Sequence, residues 1–433
     1  VRDSEAAAVL TAEPASANLP SAGETPSVRV RVGAPDGGAV SWDALPADAT
    51  LRARDLDRDA VAAVLYTSAT TGRPKGVMLT HANVLSNAYA TVHHLRMTRD
   101  DRGLCALPLF HCFGQNFIMN ALVAAGGTLV LHERFVPADF LGAIARHRIT
   151  ILYAVPTMYI LFLSGEARDL RAHDLSSVRL SFSAAAMLPA DVEARWRAAT
   201  GLPISQGYGL TECSPFATYN HERAHRSGSV GTPIENVEVR VVDEHDGEVP
   251  DGTLGEIVIR GPNVMKGYLG KPEDTAQTLR GGWLHSGDIG YRDDDGYFYV
   301  VDRVKDMINV SGFKVYPREV EEVLFGHPAV REVAVLGMPD SVKGEAVRAC
   351  VVVREGQTVT ADELITLCRE RIAAYKVPAV VEFFATLPTS PTGKILKKDL
   401  RGAGRPAVYY EAVVATDPGG CAPIKGRDEG DTR

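Results

Sequence analysis

Tyr66-Thr67-Ser68-Ala69-Thr70-Thr71-Gly72-Arg73-Pro74-Lys75-Gly76 follows the apolar run 61–66. The run reads as a buried strand. The stretch after it gathers hydroxyl side chains, two glycines and a lysine into one short loop. Such a loop offers backbone N–H groups, hydroxyl donors and a point charge to phosphate oxygens. Its spacing does not match GxxxxGK[ST], which excludes the usual nucleotide P-loop. On composition alone, a polar surface loop between two strands is an equal reading.

Outward from this loop, apolar strand-like runs alternate with helical ones. Val84, Leu85, Ala88, Val92 and Leu95 keep helical spacing after a possible Thr80 cap. Helices are expected over 117–123, 137–146 and 189–200, the last ending at Gly201. Strands are expected over 103–108, 128–131 and 149–155. Continuous apolar strands between helices point to an α/β fold with a mainly parallel sheet covered on both faces. Near Gly228 the pattern turns to alternation, and Asp293-Asp294-Asp295-Gly296 between two apolar runs signals a hairpin. After Asp306 a third style begins, with helices at 317–324 and 361–372 and strands at 333–336 and 347–353. This predicts a large N-terminal domain, 1–305, carrying mainly parallel sheets and a small antiparallel region. A smaller α+β domain, 306–433, follows. Residues 1–27 read as a mobile lead-in, and the tail beyond about residue 415 as disordered.

With 433 residues, 45% hydrophobic and 23% charged, the chain has a globular composition, which excludes a disordered or collagenous protein. Its net charge of −8 argues against nucleic acid as a partner. The six cysteines are dispersed, with no CxxC pair, which disfavours a disulfide scaffold or structural zinc and suits a reducing, cytoplasmic setting. The longest apolar stretch, 117–131, is interrupted by Asn120 and Gly126-Gly127 and is too broken to span a bilayer. The chain opens on Val1 without a secretory signal and reads as a processed product or a fragment.

Three further stretches carry chemistry. In Gln206-Gly207-Tyr208-Gly209-Leu210-Thr211-Glu212, a tyrosine between glycines can present its face to a flat ring. Thr211 can donate to a phosphate, and Glu212 is a hard oxygen ligand suited to Mg²⁺. Asp288, in Gly282-Trp283-Leu284-His285-Ser286-Gly287-Asp288, can accept from both hydroxyls of a ribose, while Arg303 offers a fork to phosphate or sugar oxygens. Pro391-Thr392-Gly393-Lys394 sets a lysine directly after a flexible turn. Taken singly, these read as a glycine-rich turn or a solvated surface lysine.

In this order the four stretches resemble the adenylate-forming superfamily of acyl-CoA synthetases, peptide-synthetase adenylation domains and beetle luciferases, in its fatty-acyl or aryl-CoA ligase branch. The likeness covers about Val61 to Arg401. It implies ATP, Mg²⁺ and CoA as cofactors and a small carboxylic acid as substrate. Thr67, Ser68, Thr70, Thr71, Gly72 and Lys75 would handle the β- and γ-phosphates. Ala184 and Ala185 would lie at the adenine and acyl group. Gly207, Tyr208 and Gly209 would flank adenine, Thr211 would touch the α-phosphate, and Glu212 would hold Mg²⁺. Asp288 would bind the ribose with help from Arg303. Lys305 would be the hinge of a mobile C-terminal domain. Lys394 would stabilise the adenylation transition state, and Gly312 would approach the pantetheine arm of CoA. His111 matches a position near the carboxylate or the pyrophosphate exit, with a structural histidine as the competing reading.

The chain departs from the pattern at Ala69, Ala184 and Ala185, where glycines are usual, and part of the family's N-terminal subdomain is missing upstream of Val1. No aspartate lies between Ala106 and Asn120 to pair an α-ammonium, so the expected acid lacks an α-amino group. A fatty acid is the first expectation and an aryl acid the second. The rival readings are an acyl-AMP ligase that loads a carrier protein, and a nucleotide-binding relic without catalysis. A luciferase-like oxygenase is a remote third.

Overall fold

The computed structural model describes residues 8–12, 28–32, 40–41, 55–67, 74–163, 170–390 and 395–402. It divides into two compact units, one of residues 1–304 with 390–394, the other of residues 305–389 with 395–433.

The first unit is organised by a seven-stranded sheet. Ile204–Tyr208, Leu180–Ser183, Ile151–Ala154, Arg102–Cys105 and Thr128–Leu131 lie side by side in that order, all parallel. Thr218–Tyr219 and Thr232–Pro233 extend the sheet antiparallel beyond Ile204–Tyr208. Every residue of Ile151–Ala154 and Leu180–Ser183 is buried, as a parallel strand covered on both faces requires. Successive side chains reach opposite layers. Ser181 accepts from Trp196 Nε1 of the helix Ala190–Thr200 at 3.2 Å, while Phe182 packs on Phe117 with ring centroids 4.5 Å apart. Gly201 ends that helix in the left-handed region.

Thr80 caps the helix His81–His94 with a full capping box: its Oγ1 accepts from Asn83 N–H at 3.1 Å, and Asn83 Oδ1 accepts from Thr80 N–H at 2.9 Å. Such a cap contributes about 1 kcal/mol. Asn83 Nδ2 also donates to the carbonyls of Pro262 and Val264, both at 2.8 Å, fastening the helix to the segment that leads into Gly267–Tyr268.

Three readings need correction. The strand Val61–Thr67 is neither buried nor part of the parallel sheet. It forms the half-exposed edge of a three-stranded antiparallel sheet, pairing with Lys75–Thr80, which in turn pairs with Gly267–Tyr268. The helix expected over 117–123 is a π-helix, Phe113–Asn120, running into the α-helix Ala121–Ala125. Its wider turn brings Asn116 Nδ2 to the carbonyl of Ser214 at 3.3 Å. Within the expected lead-in, Ala8–Ala12 forms a strand parallel to Val28–Val32, since Ala-Val-Leu-Thr-Ala is apolar enough to pair. The tail beyond residue 415 lies outside the described residues.

A four-stranded antiparallel sheet, Glu238–Val242, Gly255–Arg260, Leu284–Arg292 and Phe298–Arg303, contains the expected hairpin. In the second unit, Val330–Asp340 and Gly344–Val353 pair antiparallel, and Val380–Phe383 lies parallel to Gly344–Val353. The helices Pro317–Phe325 and Ala361–Arg371 bury Val320, Leu324 and Leu364 in a core with Val335 and Val351. Among the described residues, no helix is long and apolar enough to cross a membrane.

His94 ends its helix in a histidine cluster. Glu235 N–H donates to His94 Nε2 at 3.0 Å, so the proton of the neutral ring sits on Nδ1, which faces His221 Nε2 at 3.3 Å. Burial, and then the neighbouring His221 and His93, push the His94 pKa down to about 4. A histidine kept neutral when folded binds its proton more readily when unfolded. Stability is therefore full above pH 6.5 and falls as the pH drops toward 4. Allowing for partial exposure, we expect a loss of about 1 kcal/mol at pH 5 relative to pH 7, or roughly 2–3 °C in Tm. Thermal melts of the protein and of His94→Gln at the two pH values check this. An undiminished pH effect in the variant would assign it to other groups.

Candidate active site

The carboxyl ends of two adjacent parallel strands bring Ala184 and Ala185 beside the segment from Gly207 to Glu212, the usual place for a ligand in an open α/β sheet. Ser183 pairs in register with Gln206, so Ala184–Ala185 and Tyr208–Gly209 leave the sheet side by side. The chain then turns through Thr211–Cys213, a short 3₁₀ helix. Gly209 is required by close approach, since a Cβ there would stand 1.7 Å from the Pro215 carbonyl oxygen. Gly207 is filled from one side already, because a Cβ there would meet Phe182 Cζ at 2.6 Å.

Ala185 has φ +71°, a conformation that favours glycine, so the departure from the family's glycines carries a backbone cost at this position. Ala185→Gly should relieve about 1–2 kcal/mol of strain, partly offset by about 0.5–1 kcal/mol of added chain entropy in the unfolded state. A rise of roughly 1–2 °C in Tm is the expected result, and a fall would mean that the methyl group packs favourably.

Asp288 is buried on the strand Leu284–Arg292 of the antiparallel sheet and ties two other candidates together. Tyr208 Oη donates to Asp288 Oδ2 at 2.8 Å, and Arg303 Nε donates to Asp288 Oδ1 at 2.8 Å. Burial and the negative charge of Asp288 raise the Tyr208 pKa well above its ordinary value, so the phenol stays a donor. Each carboxylate oxygen therefore has a protein donor already, and a ribose hydroxyl would use the second lone pair or displace one of them.

Glu212 Oε1 accepts from Tyr268 Oη at 2.9 Å, and its backbone carbonyl accepts from Met265 N–H at 2.8 Å. Its other carboxylate oxygen accepts nothing from the described residues. That fits Mg²⁺, which is commonly held by one or two carboxylates completed by substrate phosphates and water. Among the described residues no group of three or more His, Cys, Asp or Glu could hold a metal ion. Thr211 Oγ1 lies 3.4 Å from Cys112 Sγ, a thiol whose pKa burial pushes up to about 12 and which therefore stays protonated.

Thr67 and Lys75 pair across the antiparallel hairpin, and Lys75 Nζ donates to Asp274 Oδ1 at 2.6 Å. Ser68, Ala69, Thr70, Thr71 and Gly72 lie outside the described residues, as does Lys394. His111 Nδ1 accepts from Phe113 N–H at 3.2 Å, a backbone partner of the kind a structural histidine takes. In the second unit, Lys305 lies in the 3₁₀ turn Val304–Asp306 at the seam of the division. Gly312, at φ +88°, turns the chain between Ile308–Val310 and Phe313–Val315, and its N–H donates to Asn309 Oδ1 at 2.9 Å.

Sequence reasoning missed Cys112, Tyr268 and Asp274. Each meets its partner only through the fold: 99 residues separate Cys112 from Thr211, and 199 separate Lys75 from Asp274. No local spacing marked these residues, since each partner comes from a distant part of the chain.

An α/β protein thus sets Tyr208, at the end of a parallel strand, in one hydrogen-bonded cluster with Asp288 and Arg303 of the antiparallel sheet. The AMP-binding enzyme family model matches residues 1–269, and that of the AMP-binding enzyme C-terminal domain matches 319–394. The chain belongs to the AMP-binding enzyme family. It is 45% identical over 346 residues to a feruloyl-CoA synthase of an Amycolatopsis species, covering 79% of this chain and 70% of that protein. It is 40% identical over 344 residues to a long-chain-fatty-acid–CoA ligase of Bacillus subtilis, covering 78% of this chain and 61% of that one. Among solved structures it is similar to the anthranilate CoA ligase AuaEII in complex with anthranoyl-AMP, with a TM-score of 0.84 and 33% identity. That match covers 93% of this chain and 79% of the other.

Proposed function

We propose that the protein activates a carboxylic acid with ATP to an acyl-adenylate, releasing pyrophosphate, and then transfers the acyl group to CoA. The observation that carries this reading is the Tyr208–Asp288–Arg303 cluster, which joins the end of a parallel strand to the antiparallel sheet next to the segment of Thr211 and Glu212. Likeness to CoA ligases along most of the chain supports it.

A free carboxylate is a poor acyl donor because its leaving group would be oxide. Its oxygen attacks the α-phosphorus of ATP, the bond to the bridging oxygen breaks, and pyrophosphate leaves. The thiol sulfur of CoA then attacks the acyl carbon, loses its proton, and expels AMP. The first transition state gathers negative charge on phosphate oxygens, so oriented donors and cations matter more than an acid–base pair. Asp288 and Arg303 hold the ribose, and Tyr208, anchored by Asp288, flanks the adenine. Thr211 donates to the α-phosphate, with its hydroxyl set by Cys112. Lys75 and the hydroxyl loop take the β- and γ-phosphates, and Lys394 takes the developing charge. Mg²⁺, when bound at Glu212, would neutralise phosphate charge. Gly312 serves the thiol step and Lys305 the hinge.

A fatty acid is the first candidate substrate and an aryl acid the second. Relatives named for feruloyl and anthranilate make the aryl arm of the assay necessary. The five described cysteines are buried free thiols, which supports a reducing, cytoplasmic setting. ATP–pyrophosphate exchange measured over fatty, aryl and amino acids tests the activation. No exchange with any acid would overturn it, and exchange driven by amino acids alone would overturn the expectation of an acid without an α-amino group. Preformed acyl-AMP offered with CoA or with holo-carrier protein distinguishes a CoA ligase from a carrier-loading one.

A further inference from the structure

Tyr268 touches two parts of the candidate site at once. It is 7% exposed, on the strand Gly267–Tyr268 that pairs with Lys75–Thr80 in the register Tyr268↔Val77. Its hydroxyl donates to Glu212 Oε1 at 2.9 Å. The Lys75 ammonium stands over its ring face, 4.9 Å from the centroid. A phenol suits this position, because the π-face attracts a cation while the O–H donates to an anion. Thr275 Oγ1 accepts from Tyr268 N–H at 2.9 Å, and the preceding residue, Asp274, forms the 2.6 Å ion pair with Lys75. One short helix, Pro272–Thr278, therefore fixes both the tyrosine and the lysine's carboxylate partner.

This arrangement has two chemical consequences. With Oε1 engaged by the phenol, the Glu212 carboxylate is held in one rotation, and its other oxygen is presented to a cation. The negative charge of Asp274 offsets part of the field of the Lys75 ammonium. A polyphosphate must then compete for Lys75 with a carboxylate that lies at the surface and is only partly shielded.

Building on the ATP-dependent reading above, we propose that Tyr268 is a positioning residue that orients Glu212 toward the nucleotide's divalent cation, and that Asp274 restrains Lys75 until a polyphosphate displaces it. Tyr268→Phe keeps the ring face for Lys75 and removes only the hydroxyl. Asp274→Asn keeps the shape and removes the charge.

Isothermal titration of the full chain with ATP, once with Mg²⁺ and once with EDTA, reads both effects without relying on turnover. For Tyr268→Phe we expect Mg·ATP affinity to fall about tenfold, the loss of a hydrogen bond to a charged group, with ATP affinity in EDTA within about twofold of the unmodified protein. For Asp274→Asn we expect ATP in EDTA to bind about three- to fivefold tighter, the scale of a partly exposed ion pair. Equal weakening of both titrations in Tyr268→Phe, or no change, would overturn the positioning role. Unchanged or weaker ATP binding in Asp274→Asn would overturn the restraint. Because Asp274 lies at the surface, its variant tests the arrangement even where Tyr268→Phe folds poorly. Failure of the unmodified protein to bind ATP under either condition would overturn the ATP-dependent reading itself and this proposal with it.

Discussion

Lys394→Ala is expected to lower acyl-AMP formation by about 10²–10³-fold, the scale on which one oriented group facing developing charge acts. The same variant should form thioester from supplied acyl-AMP at close to the normal rate, because the charge on the departing AMP is one the free nucleotide carries stably, and a turn of the second unit between steps would remove Lys394 from the reacting centre. The opposite pattern is expected from Lys305→Pro, which fixes φ in the turn Val304–Asp306 at the seam of the two units. There the thiol step should suffer more than adenylation, since the second unit would need to turn between steps. Single-turnover assays of each half-reaction measure both. Equal losses in both half-reactions for both variants would refute a rotating unit and leave family membership untouched.

Asp288→Ala is expected to weaken ATP binding by about a hundredfold and to cost about 2–3 kcal/mol of stability. The substitution removes the acceptor of Tyr208 Oη and of Arg303 Nε together, so that a buried phenol and a partly buried guanidinium each lose a charge-assisted hydrogen bond. Asp288→Asn should recover part of the stability, because its amide oxygen still accepts from one of the two donors, while ATP binding stays impaired. Urea titrations and ATP titrations separate these effects. Loss of stability with unchanged ATP affinity would mean that Asp288 only braces Tyr208 and Arg303.

The parallel strands were legible because a strand covered on both faces must be apolar throughout. Ile151–Ala154 and Thr128–Leu131 fall within one or two residues of their expected bounds. The Thr80 cap and the turn at Gly201 were legible because both depend on a single residue's local chemistry. The π-helix at Phe113–Asn120 was not, since its extra residue per turn leaves no periodic mark in eight residues. The edge position of Val61–Thr67 was hidden for another reason: its third strand comes from Gly267–Tyr268, far along the chain. The same distance concealed the partners of Glu212 and Lys75. The motif resemblance marked Asp288 and Arg303 as site groups, but only the fold shows that they bind each other.

The small antiparallel sheet has a consequence for synthesis. The strands Val61–Thr67 and Lys75–Thr80 leave the ribosome well before the strand that completes their sheet, and the aspartate that holds Lys75 arrives 199 residues after that lysine. At about 5–20 residues per second, translation leaves these strands waiting on the order of ten to forty seconds. Through that interval Lys75–Thr80, a strand destined for the centre of its sheet, keeps one row of backbone N–H and C=O groups unpaired and Val77 and Leu79 uncovered. The nascent chain thus passes through a window in which a holdase or a neighbouring nascent chain competes with Gly267–Tyr268 for the same edge.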